Sequence, residues 1–117
     1  ALLFSLKQGG ENMKEIINLF NNSDWIDAQE YPEGTQKRVL HDENGVKTVL
    51  LKLPAGFYMD THAHITAEQH FILKGDYISE GKTYHAGTFQ SFKAHENHGP
   101  FESKQGALVL VMWYPNR

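Results

Sequence analysis

From residue 35 onward, short apolar-rich runs alternate with clusters of glycine, proline, asparagine and aspartate. That punctuation predicts strands over 35–40, 46–53, 57–64, 68–74, 77–80, 88–93 and 107–114. Asn44–Gly45, between the first two runs, predicts a tight hairpin. The last run, ALVLVMWY, is almost uninterrupted in apolar residues, as expected of a strand buried on both faces. Many short strands with frequent turns indicate a sandwich or barrel rather than alternating α/β units. Only 13–20 carries helical spacing: Ile16, Ile17 and Phe20 share a stripe before Asn21–Asn22–Ser23 ends it. A helix of about two turns forms only when docked on something larger.

Composition narrows the partners. At 117 residues the chain makes one domain, and a net charge of −3 lacks the basic footprint of a general nucleic-acid binder. No apolar run approaches the roughly 20 residues a membrane-spanning helix needs. The absence of cysteine excludes disulfides, thiolate metal sites and cysteine nucleophiles, and fits a cytoplasmic location. Residues 1–12 lack the basic start and long apolar run of a secretory signal. The expected organisation is an extension over 1–23 with the short helix, 1–12 being an expression remnant or upstream extension, and a barrel over 24–117.

Six of the seven histidines (62, 64, 70, 85, 95 and 98) fall within one third of the chain. Along a strand His62 and His64 project to one side, and after Ile65–Thr66–Ala67 the chain returns with Glu68 and His70 sharing a face. If that loop reverses direction, two imidazoles and a carboxylate converge, and a third imidazole would leave positions for water or substrate. Such a borderline donor set suits divalent Fe, Mn, Ni, Cu, Co or Zn without choosing among them. Taken singly, an H-x-H pair is more often exposed and a lone glutamate solvated. His70 is a candidate substrate partner or proton shuttle, or else a satisfied core residue. His85, in the turn before Gly87, reads as structural or exposed, and His41, in the hairpin loop, as solvated. Phe57, Tyr58, Phe71, Phe89, Phe92 and Trp113 are core or pocket candidates, with Tyr58 preferred for the pocket because it shares parity with His62. Lys74 shares parity with His70 but sits at a strand end, where it reaches solvent.

The spacing Gly56, five residues, His62-x-His64, three residues, Glu68, six residues, Gly75 resembles the first motif of the cupin superfamily at every fixed position. A second segment, GTFQSFKAHENHGPFE, is similar to the second motif in spacing: Gly87 and the ligand histidine, His98, are kept. Lys93 stands where proline is usual, His95 where glycine is usual, and Glu102 where asparagine is usual. The resemblance implies a double-stranded β-helix (jelly-roll) barrel with a metal held by His62, His64, Glu68 and His98. Because glycine permits a tight turn before the ligand, His95 is a rival for the fourth position.

What the metal does is implied more loosely, because fold alone does not settle function. Small cupins with this ligand set look like oxygenases that cleave a carbon–carbon bond in a diketone or phenolic ketone. In that reading His70 and Tyr58 are the catalytic candidates. Sugar epimerases are less favoured, since no additional bases or anionic-sugar contacts can be identified. The LKGDY–AGTF–H stretch also resembles the ChrR-like (cupin_7) group, which brings in a non-enzymatic metal-binding sensor or regulatory module as the alternative. An anti-sigma role is not expected where no cysteine-bearing zinc domain precedes the strands. A storage barrel with incidental metal affinity is the third reading. Relatives of this size imply a homodimer, with Trp25–Ile26 able to supply an exchanged edge strand.

Overall fold

The structure, a computed structural model, describes residues 16–63 and 65–115. It is all-β, with nine strands in the described residues: β1 (Ile26–Asp27), β2 (Gln36–Glu43), β3 (Val46–Leu53), β4 (Phe57–Met59), β5 (Ala67–Ser79), β6 (Lys82–His85), β7 (Phe89–Phe92), β8 (Phe101–Ser103) and β9 (Ala107–Tyr114). No described helix is long and apolar enough to cross a membrane. The helix expected over 13–20 is not seen: residues 16–20 form irregular chain and a turn, and 13–15 lie outside the described residues. Two turns of helix have too few internal hydrogen bonds to repay nucleation.

All pairings are antiparallel. One ladder runs β1-β2-β3-β9-β5-β7 and the other β4-β8-β5-β6, with β5 common to both. The first half of β5 lies between β9 and β7, and its second half between β6 and β8. The result is the jelly-roll barrel that the strand pattern and motifs led us to expect. Within it, Val49, Leu51 and Leu53 of β3 meet Phe57, Ile72, Tyr77, Phe101, Val109 and Val111. Burying each such side chain contributes on the order of 1.5–3 kcal/mol.

Local sequence explains the turns. Asn44 and Gly45 both have positive φ (55° and 82°), the type I′ geometry of a two-residue hairpin. Glu80 and Gly81 (52° and 82°) repeat it between β5 and β6. Strands β6 and β8, absent from the expected set, are short and carry polar residues that no apolar run announces. The expected strands 68–74 and 77–80 are one continuous strand, bent but not broken at Gly75. Ile26–Asp27, which overlaps the Trp25–Ile26 segment expected to be exchanged between subunits, pairs with Lys37 and Gln36 of its own β2.

The bend has a definite cause. The register of β5 against β9 passes from Ile72 to Lys74, skipping Leu73. An extra residue reverses which parity faces inward. Glu68, His70 and Ile72 are buried before it, Tyr77 and Ser79 after it. Gly75 follows at φ 72°, where a Cβ would run into the Gly106 carbonyl oxygen. Gly75→Ala is therefore expected to cost about 1–3 kcal/mol and lower Tm by several degrees, whereas Gly81→Ala, with nothing within 4 Å of its added Cβ, costs less. Thermal melts of both variants check this, and equal losses would contradict it.

Candidate metal centre

Two loops carry the histidines, and the backbone fastens them together. The His62 N–H donates to the His98 carbonyl at 3.0 Å and the His98 N–H to the His62 carbonyl at 2.8 Å, an isolated antiparallel bridge. Their imidazole centroids are consequently 4.4 Å apart. His62 Nδ1 lies 3.0 Å from the Asp60 carbonyl oxygen. A carbonyl only accepts, so Nδ1 carries the proton and the lone pair of the neutral ring resides on Nε2.

His98 is buried (2% exposed), its ring stacked on Phe92 at 4.4 Å and edge-on to Phe101 at 5.8 Å. The loop before it turns through His95, whose φ of 66° supplies the left-handed conformation that glycine usually provides. His95 itself is exposed, so the imidazole delivered to the interior is that of His98.

Glu68 is set by register: on β5 it stands opposite Phe92 of β7 and Trp113 of β9. It is 4% exposed, and burial of a carboxylate is sustained only by strong partners. Trp113 Nε1–H donates to Oε1 at 2.9 Å, and His70 Nε2 lies 2.5 Å from Oε2. Oε1 also faces His98 Nε2 at 3.9 Å. Two donors about 2.0–2.2 Å from one ion are separated by no more than about 4.4 Å, so this pair fits a shared divalent cation in chemistry and span. Among the described residues no group of three or more His, Asp or Glu side chains is arranged to hold a metal ion. His64 lies outside the described residues.

Tyr58 does not reach the interior. It is 51% exposed, and its hydroxyl donates to Asp60 Oδ1 at 3.0 Å, while Phe57 and Met59 on either side face the cavity. β4 ends at Met59, so the parity assumed between positions 58 and 62 is lost across Asp60–Thr61. Phe71 and Phe89 pack against each other with tilted rings 4.8 Å apart, Phe89 half-exposed. Lys74 is exposed, its amine 5.0 Å from the Phe20 ring centre. His85 and His41 sit near Asp76 and Glu43 on the surface.

The interior cavity is small, about 30 Å³, and is lined by His62, Glu68, His70, Tyr31 and Tyr77 among apolar neighbours. At about 10–15 Å³ per water, it has room for two or so. Tyr31, Met59 and His62 also line an outer cleft of about 520 Å³, with Lys47, Glu30 and Trp113 on its other walls. Sequence reasoning missed Tyr31, Tyr77, Phe101 and Gln90. Tyr77 could not be found by alternation because the skipped residue at Leu73 changes the parity between it and His70.

The closed antiparallel roll, with histidines and a glutamate gathered inside it, is a cupin roll. A family model described as the ChrR Cupin-like domain matches residues 13–115, and the chain belongs to that family. No curated protein sequence matches the chain. Among solved structures, an RmlC-like cupin from Shewanella frigidimarina is similar with TM-score 0.71 and 18% identity, over 89% of this chain and 94% of that one. An acetylacetone dioxygenase from Acinetobacter johnsonii gives TM-score 0.71 and 17% identity, over 95% and 80%. A chain in the Rhodobacter sphaeroides complex of SigE with the anti-sigma ChrR gives 0.67 and 19%, over 80% of this chain. This chain spans about half of that one, 51%. At these identities the likeness is one of fold.

Burial, followed by the negative charge of Glu68, raises the phenol pKa of both Tyr31 and Tyr77 above the usual tyrosine range. A group that binds its proton more tightly when folded contributes stability below its unfolded pKa, about 10, and loses it as pH climbs further. In an alkaline titration these two phenols are expected to ionise only as the fold is lost. Phenolate absorbance recorded beside circular dichroism checks this; ionisation of all five tyrosines in intact protein near pH ~10 would contradict it.

Proposed function

We propose that the protein binds one divalent transition metal (Fe, Ni, Mn, Zn, Co or Cu) through His62, His64, Glu68 and His98. We further propose that it is a metal-dependent oxidoreductase of dioxygenase type acting on a small diketone or phenolic ketone. The observation that carries the reading is the buried pair of Glu68 Oε1 and His98 Nε2, 3.9 Å apart within a barrel whose cavity borders an outer cleft. The fold likeness to an acetylacetone dioxygenase supports the reaction class.

A metal held there supplies Lewis acidity toward an enolate or phenolate oxygen. The chain's own residues define the rest. Leu51, Phe57, Phe101, Val109 and Val111 keep the cavity wall apolar and exclude bulk water. The narrow interior admits only a small part of a ligand, whose remainder lies in the cleft beside Trp113 and Lys47. His70 and Tyr77, joined Nδ1 to Oη at 3.1 Å, form the polar side of the cavity, with His70 Nε2 engaged by Glu68. A homodimer with 24–117 as the barrel of each subunit belongs to the same reading.

The second reading, a metal-binding sensor or regulatory module, is supported by the ChrR cupin-like match and by the fold likeness to a chain of the SigE–ChrR complex. Turnover separates the two. Protein expressed without added metal is analysed for its bound element, then assayed for oxygen uptake with diketones and phenolic ketones. The wild type is expected to carry one metal per chain and consume oxygen, and Glu68→Ala with His98→Ala to lose both. Full metal retention in that double variant would overturn the ligand set. Bound metal without turnover of any such substrate would overturn the enzyme reading in favour of the sensor.

A further inference from the structure

A continuous polar chain runs from β7 through β5 to the carboxylate. The Tyr77 hydroxyl donates to Gln90 Oε1 at 2.5 Å, its oxygen lies 3.1 Å from His70 Nδ1, and His70 Nε2 lies 2.5 Å from Glu68 Oε2. Glu68, His70 and Tyr77 are all buried (4%, 7% and 2% exposed). Two features of the backbone assemble it. Register places Gln90 directly opposite His70 across β5 and β7, and the residue skipped at Leu73 turns Tyr77 to the same inner face.

Hydrogen-bond direction then fixes what the chain does. With its own proton on Gln90, the Tyr77 oxygen accepts from His70 Nδ1–H; a carboxylate oxygen only accepts, so Nε2–H donates to Glu68 Oε2, and in this arrangement both ring nitrogens carry protons. Oε2 is thereby committed to the imidazole. Oε1 accepts one bond from Trp113, and a carboxylate oxygen has a second lone pair. His98 Nε2 stands 3.9 Å from that same oxygen.

We propose that Gln90, Tyr77 and His70 are positioning residues that tie down Oε2 of Glu68, so that the carboxylate offers Oε1 alone to the metal. This rests on the metal reading above. Without the tether, a glutamate side chain is able to rotate about its terminal bond and present both oxygens or neither. The chain thus specifies one-oxygen ligation and holds that ligand in place before the ion arrives. Partners of metal ligands that act in this way typically change metal affinity by about 10–100-fold when removed.

The test uses the full chain loaded with Co²⁺, read by competition affinity and by visible absorption, which responds to coordination. His70→Leu is expected to weaken Co²⁺ by about 10–100-fold and to alter the spectrum. His70→Gln, whose amide N–H falls near the position of Nε2, is expected to restore both. Tyr77→Phe keeps the ring that packs the core and removes only the hydroxyl, so it tests the relay even if His70→Leu fails to fold; its spectrum is expected to shift as well. Glu68→Ala is the reference. If wild type and Glu68→Ala bind Co²⁺ equally, the metal reading fails and the relay with it. If Glu68→Ala loses the metal while Tyr77→Phe and folded His70→Leu keep wild-type affinity and spectrum, the relay alone is overturned.

Discussion

Strand β5 has to serve both ladders of the barrel, and that requirement shapes most of the interior. It pairs with β9 and β7 while Glu68 and His70 point inward, then with β6 and β8 once Tyr77 and Ser79 do. A regular strand cannot do this, because strict alternation would send Tyr77 to the outer face. The residue skipped at Leu73 and the left-handed Gly75 allow the change of face without breaking the strand. Gly75 has no room for a side chain against Gly106, so the bend and the β8–β9 connection constrain each other.

The same strand fixes the polar interior. A carboxylate buried in an apolar barrel is costly unless its oxygens are engaged. Glu68 meets that condition with Trp113 on one oxygen, supplied by the register of β9, and His70 on the other, supplied by alternation along β5 itself. The histidine loops use a different device, the reciprocal backbone bridge between His62 and His98. Rigid strands therefore hold the carboxylate, while two loops zipped at one point bring the imidazoles to it. Functional groups placed in this way are oriented by the scaffold rather than by their own conformational preferences.

Much of this was legible in the chain itself. ALVLVMWY declared a strand, and β9 lies centrally between β3 and β5, but burial on both faces holds only for Ala107–Val109; beyond them Leu110 and Met112–Tyr114 are half-buried. Asn44–Gly45 specified its hairpin because few other pairs accept two positive φ values. Glu80–Gly81 adopts the same turn but hides it, since glutamate is not selected for that conformation. The motif spacing singled out Glu68 and His98, which the fold brings face to face, and it flagged His95, whose strained turn keeps the path that glycine usually gives. Tyr58 went astray because parity counting does not survive an irregular step at Asp60–Thr61. Tyr77 and Gln90 were invisible for a related reason: their meeting depends on a skipped residue and a cross-strand register, neither of which alternation records.

The functional account reduces to one claim, that a carboxylate and imidazoles inside a ChrR-like cupin barrel share a metal ion. X-ray absorption at the edge of the bound metal addresses it directly. The account expects a first shell of nitrogen and oxygen at about 2.0–2.2 Å, with the outer-shell scattering of at least two imidazoles. A shell of oxygen atoms alone, with no imidazole scattering, would contradict it.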